Sequence, residues 1–337
     1  MNTFQFSVVG DLLEQVSRSF YRTLRILPRK VRPQISLAYL LARTTDTIAD
    51  THIVPVGLRL RALDDLSRRI QSSRPEPVDF NEFIPAQSGS AEQELLRRCE
   101  EAITALQQLD GEDRRLIRDV LQIITSGQTL DLERFADAFE SRIVALKTDD
   151  ELRDYTYRVA GCVGEFWTRL CRRHIFPDAA LDEAALLRDG TDYGCGLQMV
   201  NILRDLPADL RQGRCYLPFM RLSELGLAPA DLLDVQNEAR LRPLYNELLD
   251  RTETLLTSGW RYTNRVPASA IRVRLACAWP VLIGIRTLSR LRRTQILDPA
   301  HRVKVPRAEV KKLFFLSVLC YPVPFLWRKL FHTVRAG

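Results

Sequence analysis

The sequence lacks the signatures of several common protein classes. Its seven cysteines are scattered and never spaced C-x-x-C, which argues against a disulfide framework and against a zinc site. No G-x-G-x-x-G or G-x-x-x-x-G-K-[ST] loop follows a strand pattern, so we expect neither a Rossmann domain nor a P-loop. The first residues carry no basic segment followed by a long apolar core, so we expect no signal peptide and a reducing, cytoplasmic location.

Alternating strand patterns are also missing, and helical periodicity dominates. Apolar residues recur at three- and four-residue spacing, for example in "ISLAYLLARTTDTIAD" and "GTDYGCGLQMVNILRDL". The clearest break is the stretch at 72–91, which is rich in Pro, Ser and Gly and is expected to be a surface loop between helices. A hydrophobic content of 46% in 337 residues is ample for the core of a compact, all-α fold.

The apolar segment "KKLFFLSVLCYPVPFLWRKLF" near the C-terminus is too short to span a bilayer, which takes about 20 residues. It is broken by Pro322 and Pro324. The flanking lysines and arginines, together with Trp327, suit a segment at a membrane interface. A buried terminal helix that covers the core is an equal alternative.

Acidic residues are fewer than basic ones, and the formal net charge is +7. Nucleic acid, a membrane surface or a phosphorylated substrate could each account for this excess, and so could solvated helix faces. Most of the basic residues are arginines. Arginine is informative where it recurs beside acidic motifs, because its planar guanidinium group binds two phosphate oxygens at once.

Two carboxylates lie four positions apart in the segment "DTIAD", at the end of an apolar stretch. On a helix, Asp46 and Asp50 would share one face, with about 6 Å between their Cβ atoms. Their repulsion is small at an exposed site, but it grows on desolvation unless a cation lies between them. The pair therefore predicts a partner cation.

The segment at 196–218 repeats this spacing with Asp205 and Asp209. Gln198 and Asn201 precede Asp205 by seven and four positions, which places the amides and the carboxylate along one helical stripe. Pro207 disfavours a straight helix, so we expect Asp209 past a kink or on the following loop. Oxygen ligands on one stripe suit Mg²⁺, which proteins commonly hold through carboxylates together with substrate phosphate oxygens.

A single D-x-x-x-D motif is weak evidence for a metal, because most such pairs are solvated. Two motifs in apolar helices predict a magnesium diphosphate site, and the arginines beside them are Arg43, Arg204 and Arg214. Ionisation of an allylic diphosphate requires the charge of the leaving group to be neutralised, and metal ions and guanidinium groups do this without proton transfer. The resulting carbocation needs a dry, apolar pocket.

In these motifs the sequence resembles the squalene and phytoene synthases, which join two isoprenoid diphosphates head to head. The resemblance covers about residues 17–307 and depends on four segments: "SRSF" at 17–20, "YLLARTTDTIAD", "YTYRVAGCVGEFWTRL" at 155–170 and "LQMVNILRDLPADLRQGRCYLP". It implies one all-α domain over residues 1–337, of the isoprenoid synthase fold, with antiparallel helices around a central active-site cavity and the two aspartate motifs across its mouth. The catalytic body would cover about residues 11–307, followed by the apolar segment 308–337.

The resemblance also implies roles for individual residues. Catalytic positions match Tyr155, Tyr39 and Arg43; a core aromatic residue with one hydrogen bond is the alternative for Tyr155. The implied metal ligands are Asp46, Asp50, Asn201, Asp205 and Asp209. The implied diphosphate contacts are Ser17, Arg18, Ser19, Phe20, Arg43, Gln198, Asn201, Arg204 and Arg214. "HRVKVPR" at 301–307 resembles a segment that contacts the NADPH phosphate, here through Lys304 and Arg307, with a solvated basic loop as the alternative.

By resemblance, the enzyme would use Mg²⁺ to join two molecules of farnesyl diphosphate into presqualene diphosphate, and would then reduce this intermediate to squalene with NADPH. Two departures bear on this reaction. Ala49 and Thr51 stand where squalene synthases often carry further acids, so metal binding in the first motif depends on Asp46 and Asp50. Val281 follows a proline where animal enzymes usually have glutamine, which leaves hydride delivery open.

Several alternatives share this site: release of presqualene diphosphate, formation of dehydrosqualene without NADPH, or formation of phytoene from C20 substrates. A basic helical module on nucleic acid would leave both aspartate pairs unexplained, so we expect no nucleic-acid partner. A helical assembly factor without catalysis is disfavoured by the intact second motif. We expect a monomer or weak homo-oligomer in the cytoplasm, with peripheral contact at the inner face of the membrane as an open possibility.

Overall fold

Helices account for almost all regular structure in the part of the chain that the computed structural model describes, residues 11–16, 24, 26–300 and 302–336. Within these residues, β-structure is limited to two strands of two residues and one isolated bridge. The all-α expectation is therefore confirmed. The chain forms two compact units, residues 1–133 with 166–178 and residues 134–165 with 179–337. The single domain over residues 1–337, with its catalytic body at 11–307, stays a prediction.

The first unit is built around one buried helix. Its helices are α1 (Arg32–Ala49), α2 (Val56–Ile70), α3 (Ser90–Arg97), α4 (Cys99–Gln107) and nearly all of α5 (Gly111–Arg134). Helix α1 packs against α2, α3 and α4 and buries the apolar side chains that its periodicity predicts, among them Leu37, Leu40, Leu41 and Ile48. The loop expected at 72–91 is confirmed for 72–89, because α2 ends at Ile70, whereas residues 90 and 91 already belong to α3.

Within this unit, a charge network joins the segment 166–178 to α5. The buried Asp113 lies 2.7 Å from His174 Nε2 and accepts a hydrogen bond from Gln34 Nε2 at 2.7 Å. Arg173 pairs with both Asp110 and Asp113. Asp110, Asp113 and His174 are close enough to share a metal ion. We interpret the cluster as structural, because Arg173 already pairs with both of its carboxylates.

The second unit contains the longest helix of the described chain. Its elements are β1 (Val144–Ala145), α6 (Asp149–Thr156), a π-helical turn (Tyr157–Gly161), the start of α7 (Cys162–His174), α8 (Glu183–Arg211), β2 (Arg214–Cys215), α9 (Phe219–Glu224), two 3₁₀ turns (Pro229–Leu233 and Val235–Asn237), α10 (Glu238–Arg265), α11 (Ile271–Leu291), α12 (Arg307–Cys320) and α13 (Pro324–Ala336). Helix α8 packs against α10, α11 and the π-helical turn. It therefore presents little surface to solvent except along one stripe.

Pro207 lies inside α8, and the helix continues to Arg211. Asp205 and Asp209 are therefore one turn apart on the same helix, and the expectation that Asp209 lies on the following loop is wrong. Proline removes the N–H group that would bond to the carbonyl four residues earlier, that of Leu203. The buried Tyr245 hydroxyl donates to this carbonyl instead, at 2.8 Å. A tertiary contact thus satisfies the group that the proline leaves unpaired.

The C-terminal helices α12 and α13 pack one face against the rest of the second unit. The Trp327 ring stacks on Trp260 at 5.1 Å, and the Phe314 ring stacks on Trp279 at 4.1 Å. Trp327 is only 3% exposed and fills a buried aromatic cluster, as the alternative of a buried terminal helix predicts for this residue. Contact of the segment with a membrane stays a prediction. Among the described residues, no helix combines the length and the apolar character needed to cross a bilayer.

The second unit depends on a close approach between α7 and α8. A Cβ atom added at Gly164 would lie 1.9 Å from the carbonyl oxygen of Gly190, so the two backbones are in direct contact. We expect Gly164→Ala to lower the free energy of unfolding by about 1–3 kcal/mol, because neither backbone can move aside without losing helix packing. Urea denaturation followed by circular dichroism measures this.

Gly57→Ala is the matched control, because the nearest atom to its added Cβ would be Arg61 Nη1 at 3.9 Å. This exposed-helix substitution should be neutral or stabilising by about 0.5–1 kcal/mol. Equal stability of Gly164→Ala and the unchanged protein would contradict the close approach.

Candidate functional site

The first aspartate motif lies on a partly exposed stripe of an otherwise buried helix. Tyr39, Arg43 and Asp46 are half-buried, and Asp50, the C-cap residue of α1, is exposed. Their spacing of four, three and four places them along one face. The neighbouring Thr44, Thr47 and Thr51 are buried, and their hydroxyl groups donate to backbone carbonyls of the same segment. They therefore do not lie on the exposed stripe.

The environment of Asp46 disfavours its negative charge. Burial, followed by the nearby Asp50, raises the pKa of Asp46 from 3.8 to about 6, against the opposing effects of Arg43 and Gln128. Both carboxylates also lie at the C-terminal end of α1, where the helix dipole is negative and attracts cations. No basic residue occupies the last turn of α1. The site therefore has the electrostatics of an incomplete cation site.

Gln128 is a site residue that the sequence motifs did not reveal. Its Nε2 atom donates to Asp46 Oδ1 at 2.5 Å, and its own Oε1 atom is buried and has no hydrogen-bond partner in the described structure. This amide lies on α5, 82 positions from Asp46. No local spacing links two residues so far apart, so only the tertiary structure could identify it.

Of the other residues expected to bind diphosphate near the first motif, the structure describes Arg43 but not the segment at 17–20. Arg43 donates to Glu92 at 3.3 Å, so its guanidinium group is not committed to Asp46. Ser17, Arg18, Ser19 and Phe20 lie outside the described residues, and their diphosphate contacts stay predictions.

The second motif forms a similar stripe on α8. Gln198, Arg204, Asp205 and Asp209 are half-buried and Asn201 is exposed, while the residues that are buried between them are Met199, Val200, Ile202, Leu203 and Leu206. Asn201 donates to Gln198 Oε1 at 3.3 Å. The expected single face is therefore confirmed, and it also lies at the C-terminal end of its helix, where a cation is favoured. The expectation that the two motifs face each other stays a prediction.

Arg204 holds Asp205 with two hydrogen bonds, Nε to Oδ1 at 2.9 Å and Nη2 to Oδ2 at 2.5 Å. This contact raises the pKa of Arg204, so the guanidinium group stays charged. The pair fixes the orientation of the carboxylate on the stripe. It also leaves further lone pairs of Asp205 and the Nη1 group of Arg204 for a cation and an anion respectively.

Tyr155 and Arg214 belong to one aromatic cluster, although 59 positions separate them. The Tyr155 ring stacks on the Tyr216 ring at 4.8 Å, and the Phe135 ring contacts the Tyr216 ring edge-to-face at 5.3 Å. The Arg214 guanidinium lies over Phe135 at 5.9 Å. The half-buried ring of Tyr155 thus belongs to a cluster that ends at an arginine of the second motif. Its catalytic role and the alternative of a core aromatic with one hydrogen bond both stay predictions.

A tight turn positions Arg214. Gly213 has a φ of +77°, which only glycine adopts readily, and its added Cβ would lie 2.3 Å from Phe139 N. The chain then enters β2, which pairs in parallel with β1 and aligns Arg214 with Val144. The turn reverses the chain directly after α8 and so returns Arg214 towards the cluster.

The π-helical turn at Tyr157–Gly161 is a second feature that the motifs did not reveal. Such turns are rare and often occur at functional sites. Tyr157 hydrogen-bonds to Glu165, which also accepts from Thr191 Oγ1 at 3.2 Å; burial, followed by Glu165, raises the pKa of Tyr157. The turn directly follows Tyr155 and shifts the helix phase between the aromatic cluster and α7.

Residues 302–304 of the basic segment line a cavity of about 440 Å³ in the second unit. The cavity is lined by Arg286, Ser289, Arg290, Arg293, Thr294, Arg302, Val303 and Lys304. Glu309 forms ion pairs with both Arg286 and Arg290. Arg293, Arg302 and Lys304 form no ion pair with any carboxylate in the described residues. Lys304 thus lies where an anion would bind, whereas Arg307 is not among the lining residues.

Comparisons with known proteins agree with these motifs. The model of the family "Squalene/phytoene synthase" matches residues 13–309. A bifunctional lycopene cyclase/phytoene synthase from Phaeosphaeria nodorum is 27% identical over 304 residues, which are 89% of this chain and 47% of the relative. The squalene synthase of Schizosaccharomyces pombe is 25% identical, over 91% of this chain and 64% of its own length. The chain spans about half the length of the first curated relatives that it matches.

The fold is that of the squalene synthases. A solved squalene synthase from Alicyclobacillus acidocaldarius superposes with a TM-score of 0.62 at 21% identity, over 86% of this chain and 94% of that chain. The expected isoprenoid synthase fold is therefore confirmed.

The raised pKa of Asp46 predicts a pH-dependent effect on stability. A folded-state pKa of about 6, above the ordinary 3.8, means that stability is lost as the pH rises through this range. In metal-free protein, Asp46→Asn should therefore raise the free energy of unfolding by about 1–3 kcal/mol at pH 8, with little effect near pH 4. Urea denaturation at the two pH values measures the difference.

Asp64→Asn is the control, because Asp64 is 63% exposed and, among the described residues, pairs only with Arg68 at the surface. It should change stability by less than about 0.5 kcal/mol at either pH. A loss of stability in Asp46→Asn at pH 8 would show that the carboxylate is a structural partner rather than an uncompensated charge.

Proposed function

The chain belongs to the squalene/phytoene synthase family, and on this premise we propose that it is a prenyltransferase that condenses two molecules of farnesyl diphosphate head to head. The first step would release one diphosphate and one proton and give presqualene diphosphate. In the second step the remaining diphosphate would leave, and a hydride from NADPH would give squalene. The observation that carries the proposal is the pair of carboxylate stripes, each at a helix C-terminus and each beside an arginine. These are the groups that ionisation of a diphosphate requires.

The residues present fit Mg²⁺. Asp46 carries a charge that the described residues compensate only in part, and all the donors on the two stripes are oxygen atoms that suit a hard cation. The metal would be held by Asp46, Asp50, Asn201, Asp205 and Asp209. When bound, Mg²⁺ neutralises the diphosphate leaving group.

The side chains of this protein supply the remaining requirements. Arg43, Arg204 and Arg214 orient the diphosphate oxygens through their guanidinium groups, with Gln198 as a further hydrogen-bond donor. The stacked rings of Tyr155 and Tyr216 offer π faces that stabilise a carbocation without attacking it. Tyr39 and Tyr155 are the hydroxyl groups proposed to take part in proton removal.

The cavity beside α11 is the proposed site for the phosphate of NADPH. Arg302 and Lys304 are exposed cations on its wall, and Arg293 adds a third. Three guanidinium or ammonium groups without carboxylate partners in the described residues suit a phosphate monoester. Arg307, which begins α12 next to the cavity in the sequence, is proposed as an outer contact.

The proposal places the enzyme in the cytoplasm, as a monomer or weak homo-oligomer in peripheral contact with a membrane. Both the prenyl chains of the substrate and the hydrocarbon product are apolar, so a membrane is the natural reservoir for them.

Phytoene formation from two C20 diphosphates is the second candidate. The similarity to the bifunctional lycopene cyclase/phytoene synthases, at 27% identity, favours it specifically. The same diphosphate site would serve both reactions, because only the prenyl chain length differs.

The test is to incubate purified protein and Mg²⁺ with farnesyl diphosphate or with its C20 homologue, with and without NADPH, and to identify the products by mass spectrometry. We expect squalene only when NADPH is present, and no product from Asp205→Asn. Dehydrosqualene or presqualene diphosphate regardless of NADPH would contradict the reductive step. Phytoene from the C20 substrate would support the second candidate, and no product from either substrate would overturn both.

The variant Arg302→Glu with Lys304→Glu separates the two steps. It should raise the KM for NADPH about tenfold or more, so that presqualene diphosphate accumulates while its rate of formation is unchanged. Arg272→Glu, which changes an exposed arginine that does not line the cavity, is the matched control. An unchanged product ratio would remove the NADPH assignment.

A further inference from the structure

The turn between α12 and α13 displays a concentrated apolar surface. Fourteen large hydrophobic side chains of the described residues are exposed, and six of them fall within residues 315–326. These six, called the apolar tip, are 43–69% exposed and comprise Phe315, Val318, Leu319, Val323, Phe325 and Leu326. Scattered exposed apolar residues need no explanation, but six within twelve consecutive residues indicate an interaction surface.

The opposite face of the same helices is firmly attached. Trp279 Nε1 donates to Ser317 Oγ at 2.8 Å, and Trp327 Nε1 donates to Asn264 Oδ1 at 3.0 Å. The hydroxyl of Tyr321, within the turn itself, donates to the carbonyl of Ala268 at 2.6 Å. The apolar tip is therefore a rigid feature that the second unit holds outward, and not the frayed end of a chain.

The charges around the apolar tip have one sign. Lys311 and Lys312 precede it, Arg328 and Lys329 follow it, and all four are exposed. From residue 307 to the end, the sequence contains a single acidic residue, Glu309, and this carboxylate is already paired with arginines of α11. An apolar centre with a purely basic rim is complementary to a surface that is apolar inside and negatively charged outside.

We propose that the apolar tip inserts into the interfacial layer of an anionic lipid bilayer, with the four flanking cations at the level of the headgroup phosphates. The inference deepens the proposed membrane contact and rests on it, but it does not depend on which diphosphate is the substrate. A second copy of the chain fits less well, because a symmetric contact would bring two sets of these cations together. Insertion is shallow, since the turn returns the chain to the second unit.

The test is co-sedimentation of the full chain, without substrate, with vesicles of phosphatidylglycerol and phosphatidylcholine or of phosphatidylcholine alone. We expect binding to the anionic vesicles that weakens as salt is added, and much weaker binding to the neutral ones. The variant F315S/L319S/F325S should have an affinity for anionic vesicles that is at least about tenfold lower than that of the unchanged protein. K311E/K312E should weaken binding to anionic vesicles more than binding to neutral vesicles.

M220S/L233S/V235S is the matched control, because it removes three exposed apolar side chains far along the chain from the tip. It should bind like the unchanged protein, and circular dichroism should show native helix content in all variants. Equal binding by the tip variant and the control would overturn the proposal. The proposal would also be overturned if light scattering showed that the unchanged protein is a dimer and the tip variant a monomer, while vesicle binding stayed the same. Product formation from detergent-solubilised substrate should be unchanged in the tip variant, which separates failure here from failure of the proposed enzyme.

Discussion

The organisation of this protein depends on how its buried carboxylates are neutralised. Asp113 and Asp189 are buried and serve structure, and each is paired with cations of the protein itself: Arg173 for Asp113, and two arginines of α10 for Asp189. Asp46 is different. It receives one hydrogen bond from an amide, while the nearest arginine, Arg43, donates to Glu92. The protein thus completes its structural carboxylates with its own cations, and we propose that a bound cation does the same for Asp46.

The helices make this arrangement possible because each places its carboxylates in its last turns. There the free carbonyl groups and the helix dipole add to the negative field, which favours a bound cation. In α8 the motif also contains Pro207, and the helix reaches Asp209 only because the Tyr245 hydroxyl serves the Leu203 carbonyl. Secondary structure places the carboxylates, and a tertiary contact keeps the second pair on one face.

Local spacing was sufficient to predict the parts of the site that lie on one helix. The stripe from Tyr39 to Asp50 and the stripe from Gln198 to Asp209 follow directly from a period of 3.6 residues. Partners that arrive from distant parts of the chain could not be predicted in this way. Gln128 has no local signal, and the helix through Pro207 depends on a tyrosine 42 positions from Leu203.

The C-terminal segment shows the same division between local and tertiary information. Its composition predicts either membrane contact or burial, and the structure buries one face of α12 and α13 and leaves the other exposed. Trp327 enters the core because Trp260 and Phe331 provide an aromatic cluster for it, whereas Phe325, two positions earlier, stays exposed. Sequence alone could not separate the two faces, since the assignment depends on residues of α10 and α11.

The central claim is that the two carboxylate stripes bind a diphosphate through Mg²⁺. Isothermal titration calorimetry of a farnesyl diphosphate analogue that cannot ionise, with and without Mg²⁺, tests it directly. The account predicts binding that requires Mg²⁺ and that weakens about a hundredfold in Asp46→Asn, through loss of a charged metal ligand, while Asp64→Asn binds normally. Equal binding with and without Mg²⁺, or an Asp46→Asn variant that binds like the unchanged protein, would contradict it.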